Sequence, residues 1–363
     1  MHRTRLVLAL LSTVAIAAPP AGAQHFPTGP AVQRALHDSA LVTQIPGAWV
    51  AGRPTSDGRL TSAERTTMQS ALTQIAALWR ASLGTLPGVE ADESQNAGWL
   101  ALPSGGHVAG GDVKLLLWPY SVRNGKLAFY DDAARAIFWV NHPVCEGGDV
   151  VAPGTDFILG PRVNGRFHGF PMLDSVVVIT HRTEPPCLPV TRGEFLQALV
   201  DKTARDAAHD DSAWNADAAK RERDMADVAR TNPALAASAR AQVAQMKRMT
   251  DSLRLAGQRR FGDALARMSP ADRALPAYMS ESGCRGNGDD PTSCFVDAST
   301  PNARAIVRPN PAFYDTSHPA EVQAITLGLR EVAGGRRNAG YPTSVMEAAF
   351  ERFDWNALSA LVH

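Results

Sequence analysis

Three histidines, His142, His168 and His181, are the residues whose type and position could support acid–base or metal chemistry. All three lie in strand-like stretches, and His142 and His181 close the runs Phe138-Trp139-Val140 and Val176 to Thr180. Strand ends converge on sheet edges, so these rings, with Asp156 or Glu184, are candidates for a metal site or an acid–base pair. No two of them stand at short-range ligand spacing, and the default expectation for each is a structural role. Familiar signatures are missing from the chain: there is no His-Glu-x-x-His, no Gly-x-Ser-x-Gly, no Walker loop and no Gly-x-Gly-x-x-Gly opening a helix.

The cysteines are the second set with chemistry: Cys145, Cys187, Cys284 and Cys294. An even number in an exported chain favours disulfides, and four cysteines allow three pairings that sequence alone does not resolve. The expected pairing is Cys284–Cys294, closing a tight polar loop, with Cys145–Cys187 tying the ends of a strand-rich segment. Each bridge contributes about 2–4 kcal/mol. No pair has C-x₂₋₄-C spacing, which argues against zinc, and no cofactor is expected. Asn287, Asp289 and Asp290 offer calcium-type oxygens without the full loop pattern. Asp131-Asp132 and Asp210-Asp211 are adjacent carboxylates; neighbours on a helix point in different directions and make poor dyads.

Export itself is read from residues 1–23. A basic start (Arg3, Arg5), an apolar run from Leu6 to Ala18 and Ala21-Gly22-Ala23 before Gln24 match a secretory signal peptide. The run is too short to span a bilayer, which takes about 20 residues, and no cysteine follows the cleavage site. The expected location is the periplasm or the medium. Losing Arg3 and Arg5 from 36 basic against 36 acidic residues leaves a net charge of −2. Such a chain lacks the broad basic field of a nucleic-acid binder. An apolar content of 45% is enough for a real core. The tryptophans are dispersed, which points to core positions rather than a stacking platform.

The elements that must position these residues follow from periodicity. Residues 24–60 are Pro/Gly-punctuated and read as a mobile or loosely docked arm. Thr61 with Glu64 forms a capping box, and Met68, Leu72, Ile75, Ala76 and Trp79 make one apolar stripe. From about Gly98 to Arg182 the period becomes strand-like. Asn124-Gly125 and Asn164-Gly165 signal two hairpins, the second joining Phe157-Ile158-Leu159 to Phe167–Met172. Ser175 to Thr180 reads as a central strand. After residue 300, Ala303–Arg308 and Val322–Leu329 read as strands, the latter half-buried. Met346, Ala349, Phe350 and Phe353 mark a closing amphipathic helix.

Between these halves lies a long helical stretch, opened by a second capping box, Thr191 with Glu194, and broken at Thr231-Asn232-Pro233. Residues 201–230 carry six basic and eight acidic side chains, and 231–260 six basic and one acidic. Two arms of opposite charge can pair. On the second arm, Arg240, Lys247, Arg248, Arg254, Arg259 and Arg260 read by default as a solvated helix face, and functionally as a surface for an anionic partner or a membrane. The expected fold class is α+β: an antiparallel sheet with flanking helices and an inserted long antiparallel helical hairpin of coiled-coil character. The expected divisions are a signal peptide (1–23), an N-terminal arm (24–60), helix plus antiparallel sheet (61–190) and a helical hairpin insertion (191–265). Residues 266–363 complete the same domain with a disulfide loop, returning strands and a C-terminal helix.

The run Pro185-Pro186-Cys187-Leu188-Pro189-Val190-Thr191-Arg192-Gly193-Glu194-Phe195-Leu196 resembles a segment of exported bacterial proteins of unassigned function, in which it introduces a long helix after a strand. The resemblance covers about a dozen residues and implies no activity. The leading functional expectation is a non-enzymatic binding module that engages an envelope protein or a small apolar ligand, with no nucleic acid and no membrane span. The alternative is a secreted metal-assisted hydrolase built on His142, His168 and His181.

Overall fold

The computed structural model describes residues 26–102, 105–129, 134–145, 150–151, 155–280, 290–328 and 341–363. The fold is α+β, dominated by antiparallel strands, and among the described residues no helix is long and apolar enough to cross a membrane. Residues 1–23 lie outside the described residues.

The N-terminal segment is docked, which corrects the reading of 24–60 as a loose arm. Helix α1 (Pro30–His37) buries Val32 and Ala35, and Ile45 is fully buried beyond it. Strands β1 (Ala48–Ala51) and β2 (Thr55–Ser56) then run parallel to β3 (Val89–Ala101). Both are short edge strands held by backbone bonds such as Gly52 N–H to the Glu93 carbonyl (2.7 Å), so they need no side-chain periodicity. The entry is tight: a Cβ on Gly47 would lie 1.7 Å from the Leu86 carbonyl oxygen.

Helix α2 (Ser62–Leu83) starts on the expected capping box. It lays Met68, Leu72, Ile75, Ala76 and Trp79 on a sheet whose order is β1-β3-β4-β6-β14-β10-β9-β8. Here β4 is His107–Arg123, β6 Ala134–Val140, β8 Val163–Phe167, β9 Phe170–Leu173, β10 Val176–Ile179 and β14 Ile325–Gly328, with β5 (Lys126–Phe129) hairpinned onto β4. The Asn124-Gly125 turn forms as read, both residues taking positive φ (53° and 68°). Helices α7 (Tyr341–Arg352) and α8 (Trp355–Ser359) close the same face, with Met346, Ala349, Phe350 and Phe353 buried.

Three strand readings change. Strand β3 begins at Val89, ahead of the expected start, because its core-facing positions include Glu93 and Gln95. Arg80 neutralises Glu93 there (2.7 and 2.9 Å), and Gln95 donates to it. The second Asn-Gly pair is not the hairpin turn: Asn164 and Gly165 lie inside β8, at a register irregularity. The turn is His168-Gly169, with φ of 48° and 87°, joining β8 to β9. Residues 322–328 are buried throughout rather than half-buried, since β14 sits between β6 and β10 and Gly328 packs under Trp139.

A second, small sheet stands beside the single expected one. It has the order β11 (Cys187–Pro189), β13 (Ala303–Pro309), β12 (Tyr278–Ser280), with β7 (Ile158–Leu159) also on β13. Between β11 and β12 run α3 (Arg192–Ala216), α4 (Ala218–Thr231), α5 (Pro233–Arg267) and the short α6 (Pro270–Ala274). Phe195, Leu196 and Ala264 root these helices in the small sheet's own core with Val190, Ala277 and Ile306. Cys145 and Cys187 are bonded, with Cα atoms 5.8 Å apart. Cys284 lies outside the described residues; Cys294 is disulfide-bonded.

The sheet face opposite α2 carries polar groups between β3 and β4: Asp92 accepts from the Trp118 indole (3.3 Å) and Asp112 from the Asn96 amide (3.0 Å). Burial raises the carboxyls of Glu90, Asp92 and Asp112 above their ordinary range. A raised native value means the folded state holds the proton more tightly than the unfolded chain. These groups therefore add stability as pH falls from neutrality towards their native values. Asp112→Asn keeps the Asn96 bond without the charge. Chemical unfolding at pH 7 is expected to show the variant more stable than wild type, with the difference shrinking towards pH 5; a destabilised variant at pH 7 contradicts this account.

Candidate functional site

The alternative histidine constellation does not assemble among the described residues. His168 occupies the β8–β9 turn, where histidine tolerates positive φ, and stacks on Trp355 with centroids 5.1 Å apart. His181 lies within 3.1 Å of the Ser359 carbonyl, and His142 sits beside Trp139 (6.2 Å) with its own carbonyl bonded by the Tyr314 hydroxyl. All three are exposed and hold different partners. Asp156 is exposed, and Glu184 faces Arg182 at 3.7 Å. Among the described residues no group of three His, Cys, Asp or Glu is placed to hold a metal. Asn287, Asp289, Asp131 and Asp132 lie outside the described residues; Asp290 caps a short turn through Thr292.

A different site emerges in the helical arm. Helix α3 passes into α4 through Asp217, which keeps helical backbone geometry and donates its N–H to the Ala213 carbonyl (3.3 Å). Helix α5 returns antiparallel to both, as its ion pairs register: Arg254 with Asp211 (3.0 Å), Lys247 with Asp211 (2.8 Å) and Arg240 with Glu222 (2.6 Å). The acidic and basic arms thus attract as their composition suggests. Hydrogen bonds from Lys247 and Arg254 hold the Asp211 carboxyl below its ordinary range, and the same contact raises Lys247. Asp211 is therefore engaged in pairing the arms, as expected of a residue on a helix surface rather than in a dyad.

Around the α3–α4 junction side chains of α3, α4 and α5 line a cleft of about 410 Å³. Alanines 218 and 244 face it and leave its volume unfilled, while Trp214, Met225 and Val243 give it apolar walls. Its charged lining is Arg221, Arg240, Lys247 and Glu222. The Arg221 guanidinium lies 3.9 Å over the Trp214 ring and donates to the Trp214 carbonyl, and the Lys247 ammonium is 5.9 Å from the same ring. Two stacked cations make Trp214 a cationic platform. Helix α4 buries none of its residues, so the cleft is walled by half-exposed side chains. A volume of this size is that of a small-molecule pocket, whereas the cavity beside Cys145, lined by Pro143, Pro309 and Phe313, measures about 30 Å³.

Sequence reasoning missed Trp214 by assigning the dispersed tryptophans to the core. The available signal was its setting: a lone large aromatic among Asp, Asn and Ala, seven residues before an arginine on the same helical path. Outside the cleft, α5 leaves Leu235, Met246, Met249 and Leu253 exposed on its opposite side. With the geometry in hand, comparison with known proteins adds no class: no family model, no curated protein and no solved structure matches the chain.

Proposed function

We propose that this protein is an exported, non-enzymatic binding module whose helical arm, inserted in the small sheet, holds a small ligand in the cleft between α4 and α5. One observation carries the reading: a surface cleft of about 410 Å³ with apolar walls and a cationic lining, with Arg221 stacked on Trp214 at its edge. The arm's root is anchored by Phe195, Leu196 and Ala264, so the distal cleft is free to be shaped by binding rather than by folding. The signal-like residues 1–23, the Cys145–Cys187 bridge and the resemblance of residues 185–196 to exported proteins support an extracytoplasmic setting. The dispersed histidines favour binding over metal-assisted hydrolysis.

Filling the cleft tests this directly. Ala244→Trp occupies the space without touching the sheet, so circular dichroism and Tm are expected to stay within a few degrees of wild type. Titration with single-chain dodecyl amphiphiles, followed by intrinsic fluorescence, is expected to saturate for wild type and to weaken at least tenfold in the variant. Saturation that is identical in both proteins removes the cleft as the site.

A further inference from the structure

Resting on the reading of this cleft as a ligand site, we infer that its ligand is an anionic amphiphile: a phosphate- or carboxylate-headed molecule with an apolar body. The lining holds three cations and one anion. Arg240 is matched by Glu222, and Lys247 by Asp211 and Asp251 (2.8 and 2.5 Å). Arg221 has no carboxylate partner among the described residues, its one donated bond going to the Trp214 carbonyl. A guanidinium over an aromatic ring with no carboxylate partner among the described residues presents a planar fork of donors, the geometry that suits phosphate and carboxylate oxygens. Neighbouring Arg240 and Lys247 are balanced by the Glu222, Asp211 and Asp251 carboxylates, and they bring further N–H donors rather than net charge to the same rim.

A bare anion would leave the rest of the space empty. The cleft is more than ten times the roughly 30 Å³ that one water occupies in the liquid. Trp214, Met225 and Val243 offer a wall against which methylenes gain about 0.8 kcal/mol each on burial. Methionine's flexible thioether fits chains of varied shape. Head and body are thereby separated: the anion at Arg221 and Arg240, the apolar part along Met225 and Val243.

Isothermal titration of the purified protein with dodecyl phosphate, kept below its micelle concentration, tests the assignment. Dodecyltrimethylammonium, dodecyl maltoside, inorganic phosphate and phosphatidylglycerol vesicles are the comparison ligands. Dodecyl phosphate is expected to bind at least tenfold more tightly than the cationic and neutral detergents, and Arg221→Gln with Arg240→Gln to weaken it about tenfold. Arg221→Lys with Arg240→Lys, which keeps both charges but not the planar donor fork, is expected to fall between wild type and the glutamine pair and so to separate charge loss from disturbed folding. Equal binding of all three detergents, unmoved by the glutamine pair, overturns the anionic assignment and leaves the cleft reading standing. Inorganic phosphate matching dodecyl phosphate overturns the apolar body. Binding to vesicles without binding of the monomer points to a membrane surface and overturns the inference. No binding of any detergent by the wild type removes both the inference and the cleft reading.

Discussion

Asn141→Ala is expected to destabilise the protein by about 5 kcal/mol, from four buried hydrogen bonds whose partners lose their match. Asn141 is fully buried at the end of β6. Its amide donates to the Ala109 carbonyl (2.8 Å) and the Glu321 carbonyl (2.6 Å), and its carbonyl accepts from Gln323 N–H (2.7 Å) and Ala324 N–H (3.1 Å). One side chain thus joins β4, β6 and the segment entering β14. Its φ of 54° adds to the cost, since alanine is strained there by about 1–2 kcal/mol. Against a total stability of about 5–15 kcal/mol, the variant should unfold at much lower denaturant or be recovered mostly unfolded. Asn141→Asp keeps the acceptor but turns two donors into a charge facing two carbonyls, and is expected to be comparably unstable at neutral pH. A loss below about 1 kcal/mol in either variant contradicts this account of the junction.

Trp79→Ala comes next, at about 3–5 kcal/mol, the range for deleting a buried aromatic. Trp79 is fully buried on α2, with ring centroids 4.9 Å from Phe350, 5.5 Å from Phe138 and 5.5 Å from Phe353. It is where helix, sheet and C-terminal helices meet. Its indole N–H has no hydrogen-bond partner among the described residues, so nothing polar is lost in Trp79→Phe. That variant is expected to cost well under half as much, the remaining loss being volume. Equilibrium urea unfolding of the two variants separates these terms; equal losses show that ring size matters less than the specific indole.

Much of the framework was legible because its signals are local. The capping boxes at Thr61 and Thr191 each pair a hydroxyl with a carboxylate three residues on, and both form. Asn124-Gly125 announces its turn through two residues that tolerate positive φ. What hid was non-local. The first half of strand β3 fell outside the strand-like stretch read from Gly98, because its core-facing Glu93 is neutralised by Arg80, thirteen residues away on another element. The β8–β9 turn used His168-Gly169 in place of a nearby Asn-Gly pair, so a candidate metal ligand proved to be a turn residue. The cleft was the least visible feature, since it depends on missing volume at Ala218 and Ala244 and on how α4 and α5 pair. None of these carries a motif.

Hydrogen–deuterium exchange of the purified protein, with and without saturating dodecyl phosphate or dodecyl maltoside, is the most direct test that the arm's cleft is a binding site. Slowed exchange is predicted in residues 214–225 and 240–247 with either amphiphile that binds, while the core strands and α2 stay unchanged. Protection confined to the open sheet face, or to the outer side of α5 around Met249 and Leu253 without the α4 segment, contradicts it.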